Sequence, residues 1–155
     1  MKPLKYSSTM TVKFQLKRSV TILPQNNFAT IDGQAIQIIP IKFNGYKTGI
    51  NNQKPLLEAY SKYELAYFKN DLGVDLANTH SQLVVINSKG WFIWYFRVNN
   101  APAQVDKQTK IQLFASTIIG DNILTINVPI LADEDFTKAG LIVNEMMETL
   151  AIAKQ

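Results

Sequence analysis

The chain has 155 residues, of which 46% are hydrophobic and 18% are charged, with a net charge of +4 and no cysteine. That apolar share suits one folded domain and excludes a disordered chain. The lack of cysteine excludes disulfides, thiolate metal sites and a cysteine nucleophile. No apolar run approaches the ~20 residues that span a bilayer, and the first 17 residues lack a secretory apolar core. These features favour a soluble, cytoplasmic protein and leave open the mature part of an exported one.

The N-terminal third predicts two extended regions and a helix. Residues 1–9 are polar and predict a flexible N-terminus, and residues 10–155 predict a single α+β domain. Apolar and polar residues alternate over 10–23, as in a half-buried strand. A second extended region, 28–43, is interrupted by the hairpin dipeptide Asp32-Gly33. A polar loop then leads to a helix over 55–72, where apolar residues recur at helical spacing.

The rest of the chain predicts four strands and a final helix. Residues 74–81 read as a connection, and the strands follow at 82–86, 91–98, 109–119 and 122–130. Short turns between them predict antiparallel pairing. The acids Asp133, Glu134 and Asp135 open a helix over 134–153, as capping and the helix dipole favour. The order ββ-α-ββββ-α predicts an α+β fold with one antiparallel sheet of about six strands and the helices on one face.

The strand over 91–98 carries the strongest functional signal. Its even positions, Phe92 to Val98, are uniformly apolar and predict the face that packs on the helices. The other face is amphipathic and consists of Trp91, Ile93, Tyr95 and Arg97. Exposed aromatic residues and arginine are typical of binding hot spots, so these four residues are the predicted partner-binding site. A strand that is covered on both faces produces the same pattern, so a purely structural role stays open.

No catalytic, metal or cofactor site is visible in the sequence. The only histidine, His80, lies in a polar segment that predicts a surface loop, and one histidine without cysteine is too little for a zinc site. Glycine-rich phosphate loops and a nucleophile elbow are both missing. The sequence therefore predicts a protein that is not an enzyme and needs no cofactor.

Positive charge is concentrated in the first third of the chain. Residues 1–54 hold eight lysines and arginines against the single acid Asp32. An anionic partner is one interpretation, and neutralisation by acidic helices is the other. Nucleic acid is not the expected partner, because the sequence lacks both a recognisable motif and a dense basic cluster.

The closing phrase IIGDNILTINVPILADEDFTKAGLIVNEMMETL, residues 118–150, resembles the PsbP-like α/β/α sandwich superfamily. There, two strands with a tight turn lead into a helix that begins with acidic residues, and Phe136 is expected on the inner face of that helix. The superfamily includes photosystem II extrinsic subunits, Ran-binding transport factors and adaptor chaperones of type VI secretion effectors. The resemblance implies a non-catalytic protein that binds another macromolecule. In the adaptor branch, a dimer holds apolar client helices on a sheet surface.

Two functions follow as expectations. The first is a protein-binding module or adaptor chaperone that uses the aromatic sheet surface, with another protein, an apolar helix among the options, or a second copy as its partner. The alternative is a carrier of an apolar small molecule or lipid in a START-like cup. In that cup, Tyr60, Trp91, Trp94 and Met146 would line one pocket.

Overall fold

The computed structural model describes residues 4–7, 10–24, 27–42, 53–71, 75–99, 109–120, 122–131 and 134–154. The described strands are β1 (Leu4–Ser7), β2 (Met10–Lys13), β3 (Val20–Ile22), β4 (Phe28–Ile31), β5 (Gln34–Lys42), β6 (Asp75–Ile86), β7 (Lys89–Asn99), β8 (Thr109–Ile119), β9 (Asn122–Leu131) and β10 (Ala151–Lys154). The helices are α1 (Gln53–Ala66), which continues as a π-helical turn (Tyr67–Asp71), and α2 (Phe136–Thr149).

The strands form two antiparallel sheets. The main sheet has seven strands in the order β3-β4-β5-β9-β8-β7-β6, and the small sheet has the order β1-β2-β10. The predicted α+β class and antiparallel pairing are confirmed. The prediction of about six strands in one sheet is wrong, because β10 and β2 pair beside the main sheet instead of extending it.

The two helices lie on opposite faces of the main sheet. One layer joins α2, through Ile142, Val143 and Met146, to Trp91 and the central strands. The other layer joins α1, through Leu57 and Tyr60, to the even-numbered side chains of β7. The prediction that both helices cover one face is therefore wrong. The long apolar run of β7 is typical of a central strand buried on both faces, and such a strand requires two covers.

Several predicted boundaries also differ from the structure. Residues 4–7 lie in the segment predicted to be flexible, yet they form β1 and pair with β2. The segment predicted as a connection, 74–81, supplies the first seven residues of β6, 75–81. Helix α2 ends at Thr149, and the residues after Leu150 form β10. Polar residues are common on edge strands, so these segments lack the alternation that reveals a half-buried strand.

One basic residue of the N-terminal segment, Arg18, pairs with an acid on α2 and with Asp32. The Arg18 guanidinium lies 2.7 Å from the Glu145 carboxylate on α2 and 3.0 Å from the Asp32 carboxylate. The backbone N–H groups of Lys17 and Ser19 donate to the same two carboxylates. These backbone hydrogen bonds, reinforced by Arg18, lower the pKa of both acids. For Arg18, the structure supports the neutralisation interpretation of the charge asymmetry.

Candidate functional site

Strand β7 places the four predicted binding residues on the α2 side of the sheet. Trp91 has 0% exposure and belongs to the core. Ile93 and Tyr95 are half-buried and pack against the edge of the same core. Arg97 is exposed. The expected solvent-facing side is therefore wrong at its Trp91 end, because α2 covers the strand there. Partner binding by Tyr95, Ile93 and Arg97 stays a prediction.

An aromatic stack marks the point where β7 emerges from beneath α2. The ring of Tyr95 is stacked on the exposed His80 ring, with centroids 4.8 Å apart and 24° between the ring planes. The Tyr95 ring also lies 5.1 Å from the exposed ring of Phe136 at the start of α2, measured between ring centroids. His80 lies on β6 and directly opposite Tyr95, so the prediction of a surface loop is wrong. Phe136 does not lie on the inner face that was expected.

Helix α2 contacts β7 at its first residue and the β6–β7 turn near its last residues. Its first residue, Phe136, contacts Tyr95, and the Asn87 side chain donates to the Glu148 carbonyl at 2.6 Å. Residues 136, 140, 144 and 148 follow at intervals of four, so they share one side of the helix. That side faces β6 and β7.

We name the strip of surface between α2 and β6 the α2–β6 groove. The α2 side contributes Phe136, Gly140 and Asn144, and the floor contains Ile93 and Tyr95. On β6, the side chains in register with that floor are His80, Gln82 and Val84. Apart from its chain neighbours and the backbone of its own helix, a Cβ atom added to Gly140 would meet nothing within 4 Å, so open space adjoins the helix there. The floor is apolar and suits an apolar partner, and the exposed polar side chains around it include the charged residues Arg97 and Glu148.

Sequence reasoning missed three members of this site. His80 was assigned to a loop because the polar run before Gln82 has no strand-like alternation. Phe136 and Gly140 belong to α2, and helical spacing alone does not distinguish its groove side from its core side. The hairpin formed by β6 and β7 could have revealed His80, because counting back in regular register from its two-residue turn pairs His80 with Tyr95.

The α1 side of the sheet holds a chain of buried hydroxyl groups. The Ser116 and Thr125 hydroxyls share a 2.7 Å hydrogen bond, and Thr125 donates to the Tyr60 hydroxyl at 3.3 Å. Burial raises the pKa of Tyr60, and burial also raises the pKa of the neighbouring Glu64 carboxyl, which hydrogen-bonds Tyr60. These bonds fix the position of α1 on the sheet. The chain lies on the face opposite the α2–β6 groove.

The four residues predicted to line a carrier pocket do not share one cavity. Trp91 and Met146 lie in the α2 layer, whereas Tyr60 and Trp94 lie in the α1 layer, and the sheet separates the pairs. The indole N–H groups of both tryptophans are buried and have no hydrogen-bond partner in the described part of the chain. Trp94 stacks on Phe114 at 4.7 Å and meets Tyr60 edge-on.

The titratable side chains of the described residues do not form a metal site. Within the ranges that the structure describes, no three histidine, aspartate or glutamate side chains form a group that could hold a metal ion. Asp135 serves as the N-cap of α2 and accepts from the Thr137 N–H, as the capping interpretation predicted, whereas Asp133 lies outside the described residues. Among the described helices, none is both long and apolar enough to cross a bilayer.

Comparison with known proteins supports the fold. No protein-family model and no curated protein matches the sequence. The solution structure of cyanobacterial PsbP (CyanoP) from Synechocystis sp. PCC 6803 matches with a TM-score of 0.50 and 10% identity. The match covers 96% of this chain and 95% of that one. At this identity the match concerns architecture alone, and it agrees with the resemblance seen in residues 118–150. The chain has a PsbP-like fold.

Proposed function

We propose that the protein is a non-catalytic binding module or adaptor that holds an apolar helix of a partner protein in the α2–β6 groove. The observation that carries the proposal is the stack of His80, Tyr95 and Phe136, which presents aromatic rings to solvent at one end of the groove. Aromatic side chains that are buried at the base and open at the edge supply much of the binding energy at protein interfaces.

The shape of the groove favours a helix as the bound element. Gly140 has no side chain and adjoins open space, so the backbone of a partner helix can approach α2 closely. The floor of Ile93 and Tyr95 suits apolar side chains. The rim residues Gln82 and Asn144 are exposed and uncharged, whereas the nearby Arg97 and Glu148 supply one positive and one negative charge.

The test compares two adjacent positions on α2. Gly140→Trp fills the groove with a large ring, whereas Leu141→Trp adds the same ring about 100° around the helix, where Leu141 is already 58% exposed. Each tagged variant is expressed in the native host, and copurified proteins are quantified by mass spectrometry against the wild type. We expect partners with apolar helices to be lost with Gly140→Trp and retained with Leu141→Trp.

A direct binding measurement follows for any such partner. Truncation of a central aromatic residue costs about 2 kcal/mol or more, which is roughly a 30-fold weaker Kd. We therefore expect Tyr95→Ala to weaken binding of the partner's isolated helix by that factor, with an unchanged circular dichroism spectrum. Equal recovery and equal affinity in all variants would contradict the proposal.

The second candidate function is a carrier of an apolar small molecule, with the ligand bound in the α1 layer. Its support is the buried indole N–H of Trp94, which has no hydrogen-bond partner in the described part of the chain and would be satisfied by an oxygen atom of a ligand. Native mass spectrometry of the purified protein tests it. A bound lipid-sized mass that disappears in Trp94→Phe would favour a carrier over a protein-binding module.

A further inference from the structure

Strand β6 is one edge of the main sheet, and its outward backbone groups can be assigned from the hairpin. Asn87 and Ser88 both have positive φ, and Ile86 pairs with Lys89 across this two-residue turn. The closing pair of such a turn is hydrogen-bonded, and hydrogen-bonded pairs then alternate along the ladder. Val84 and Gln82 therefore bond to β7, and the N–H and C=O groups of Ser81, Leu83 and Val85 point away from the sheet.

This edge lacks the features that usually prevent pairing with another strand. Such features are proline, charged side chains, short length and bulges. Strand β6 has twelve residues, and from Thr79 to Ile86 it contains neither proline, lysine, arginine, aspartate nor glutamate. Its one bulge lies between Ala77 and His80, so it protects only the beginning of the strand. Residues 81–86 therefore form a regular, neutral edge.

Two apolar side chains on the same edge are exposed. Leu83 is 36% exposed and Val85 is 70% exposed, and both lie on the α1 side of the sheet. They stand two residues apart, and both belong to the positions whose backbone groups point outward. A strand that paired here would gain backbone hydrogen bonds and apolar contacts at the same residues.

We propose that a second copy of this chain occupies the edge, with β6 pairing antiparallel to β6 about a two-fold axis at Val84. This register places Leu83 of each copy opposite Val85 of the other. The two-fold axis creates two such pairs, so the exposed Leu83 and Val85 side chains of both copies become covered. It also makes these pairs hydrogen-bonded, as their outward backbone groups require. The neutral edge brings no like charges together, and an isologous contact closes at two copies. The dimer does not depend on the proposed function, because the α2–β6 groove lies on the face of the sheet.

The absence of cysteine allows a clean crosslinking test of this register. At the axis, two Val84 residues form a non-hydrogen-bonded pair with Cα atoms about 4.5 Å apart, within reach of a disulfide. The copies of Gln82 lie on the same face but are offset by four residues, about 13 Å along the strand. We expect Val84→Cys to form a disulfide-linked dimer under mild oxidation and Gln82→Cys to remain unlinked. Equal crosslinking of both variants would overturn the register.

Solution mass provides the second measurement. We expect the wild type to sediment at twice the monomer mass of 17.5 kDa at micromolar concentration. Val85→Lys should raise the dimer Kd at least tenfold, because each lysine is then placed against Leu83 of the other copy. Leu141→Lys is the matched control, since it introduces the same charge at an exposed apolar residue of α2 away from the edge. A monomeric wild type, or equal effects of the two lysines, would refute the proposal. A heterologous strand bound to a monomer would refute it equally.

Discussion

Trp91 is the first residue of the predicted binding surface, and truncation of its side chain tests whether it belongs to the core. Its ring is fully buried in the α2 layer beside Val143 and Met146. Truncation of a buried tryptophan to alanine typically costs ~3–5 kcal/mol, since both apolar contacts and packing are lost. Total stabilities are usually ~5–15 kcal/mol, so Trp91→Ala should remove a large part of the free energy of unfolding. In a domain of this size the expected fall in Tm is roughly 6–20 °C.

The indole N–H adds a second, independent expectation. It is buried without a partner, and an unsatisfied group of this kind costs about 1–3 kcal/mol. Trp91→Phe removes that group and keeps most of the apolar ring. Its loss of stability should therefore be much smaller than that of Trp91→Ala, at about 2 kcal/mol or less.

Urea denaturation followed by far-ultraviolet circular dichroism measures both variants without relying on tryptophan fluorescence. Tyr63→Ala is the control, because Tyr63 is 62% exposed on α1 and should change stability by no more than about 0.5 kcal/mol. The slope of the free energy of unfolding against urea should stay constant across the series. If Trp91→Ala behaved like Tyr63→Ala, the ring would face solvent, and the reasoning that places α2 over this part of β7 would be refuted.

Two further predictions concern polar contacts. Because the pKa values of Asp32 and Glu145 are lowered in the folded state, their stabilising contribution is present above pH ~4.3 and is lost as pH falls through the folded-state pKa values. The double variant Asp32→Asn with Glu145→Gln should therefore flatten the acid limb of a stability–pH profile. An unchanged profile in urea titrations from pH 2 to pH 6 would contradict this pairing with Arg18. On the α1 side, Thr125→Val removes the hydrogen bonds to Ser116 and to Tyr60 and should lower the free energy of unfolding by about 1–3 kcal/mol. A double-mutant cycle that combines Thr125→Val with Tyr60→Phe should show a non-zero coupling energy.

The apolar strands of the sheet could be predicted because their periodicity is local. Alternation along β7, β8 and β9, together with short turns, predicted three neighbouring strands and their antiparallel pairing, and Asp135 predicted the start of α2. Whether helices cover one face of β7 or both faces could not be predicted in this way. An apolar side chain facing a helix and an apolar side chain facing solvent have the same sequence pattern, so Trp91 and Tyr95 looked equivalent although one is buried and the other half-buried.

The candidate site depended on contacts between distant parts of the chain. His80, Tyr95 and Phe136 come together only because β6 pairs with β7 and because α2 begins beside Tyr95. No local rule relates residue 80 to residue 136. The role of Gly140 could not be predicted from the sequence either, because it depends on the open space beside α2 and not on the effect of glycine on the helix.

The small sheet has a consequence for the order of folding. Strand β2 lies near the beginning of the chain, yet Val12 pairs with Ile152 of β10, and the Gln15 N–H donates to Thr149 across 134 residues of sequence. Contacts of such long range carry the largest loop-closure entropy and slow folding. During synthesis, residues 10–19 emerge first but cannot complete their hydrogen bonds until α2 and β10 have followed. Strand β2 is therefore made early but is among the last strands to complete its native pairing, because its partner β10 is the last strand of the chain.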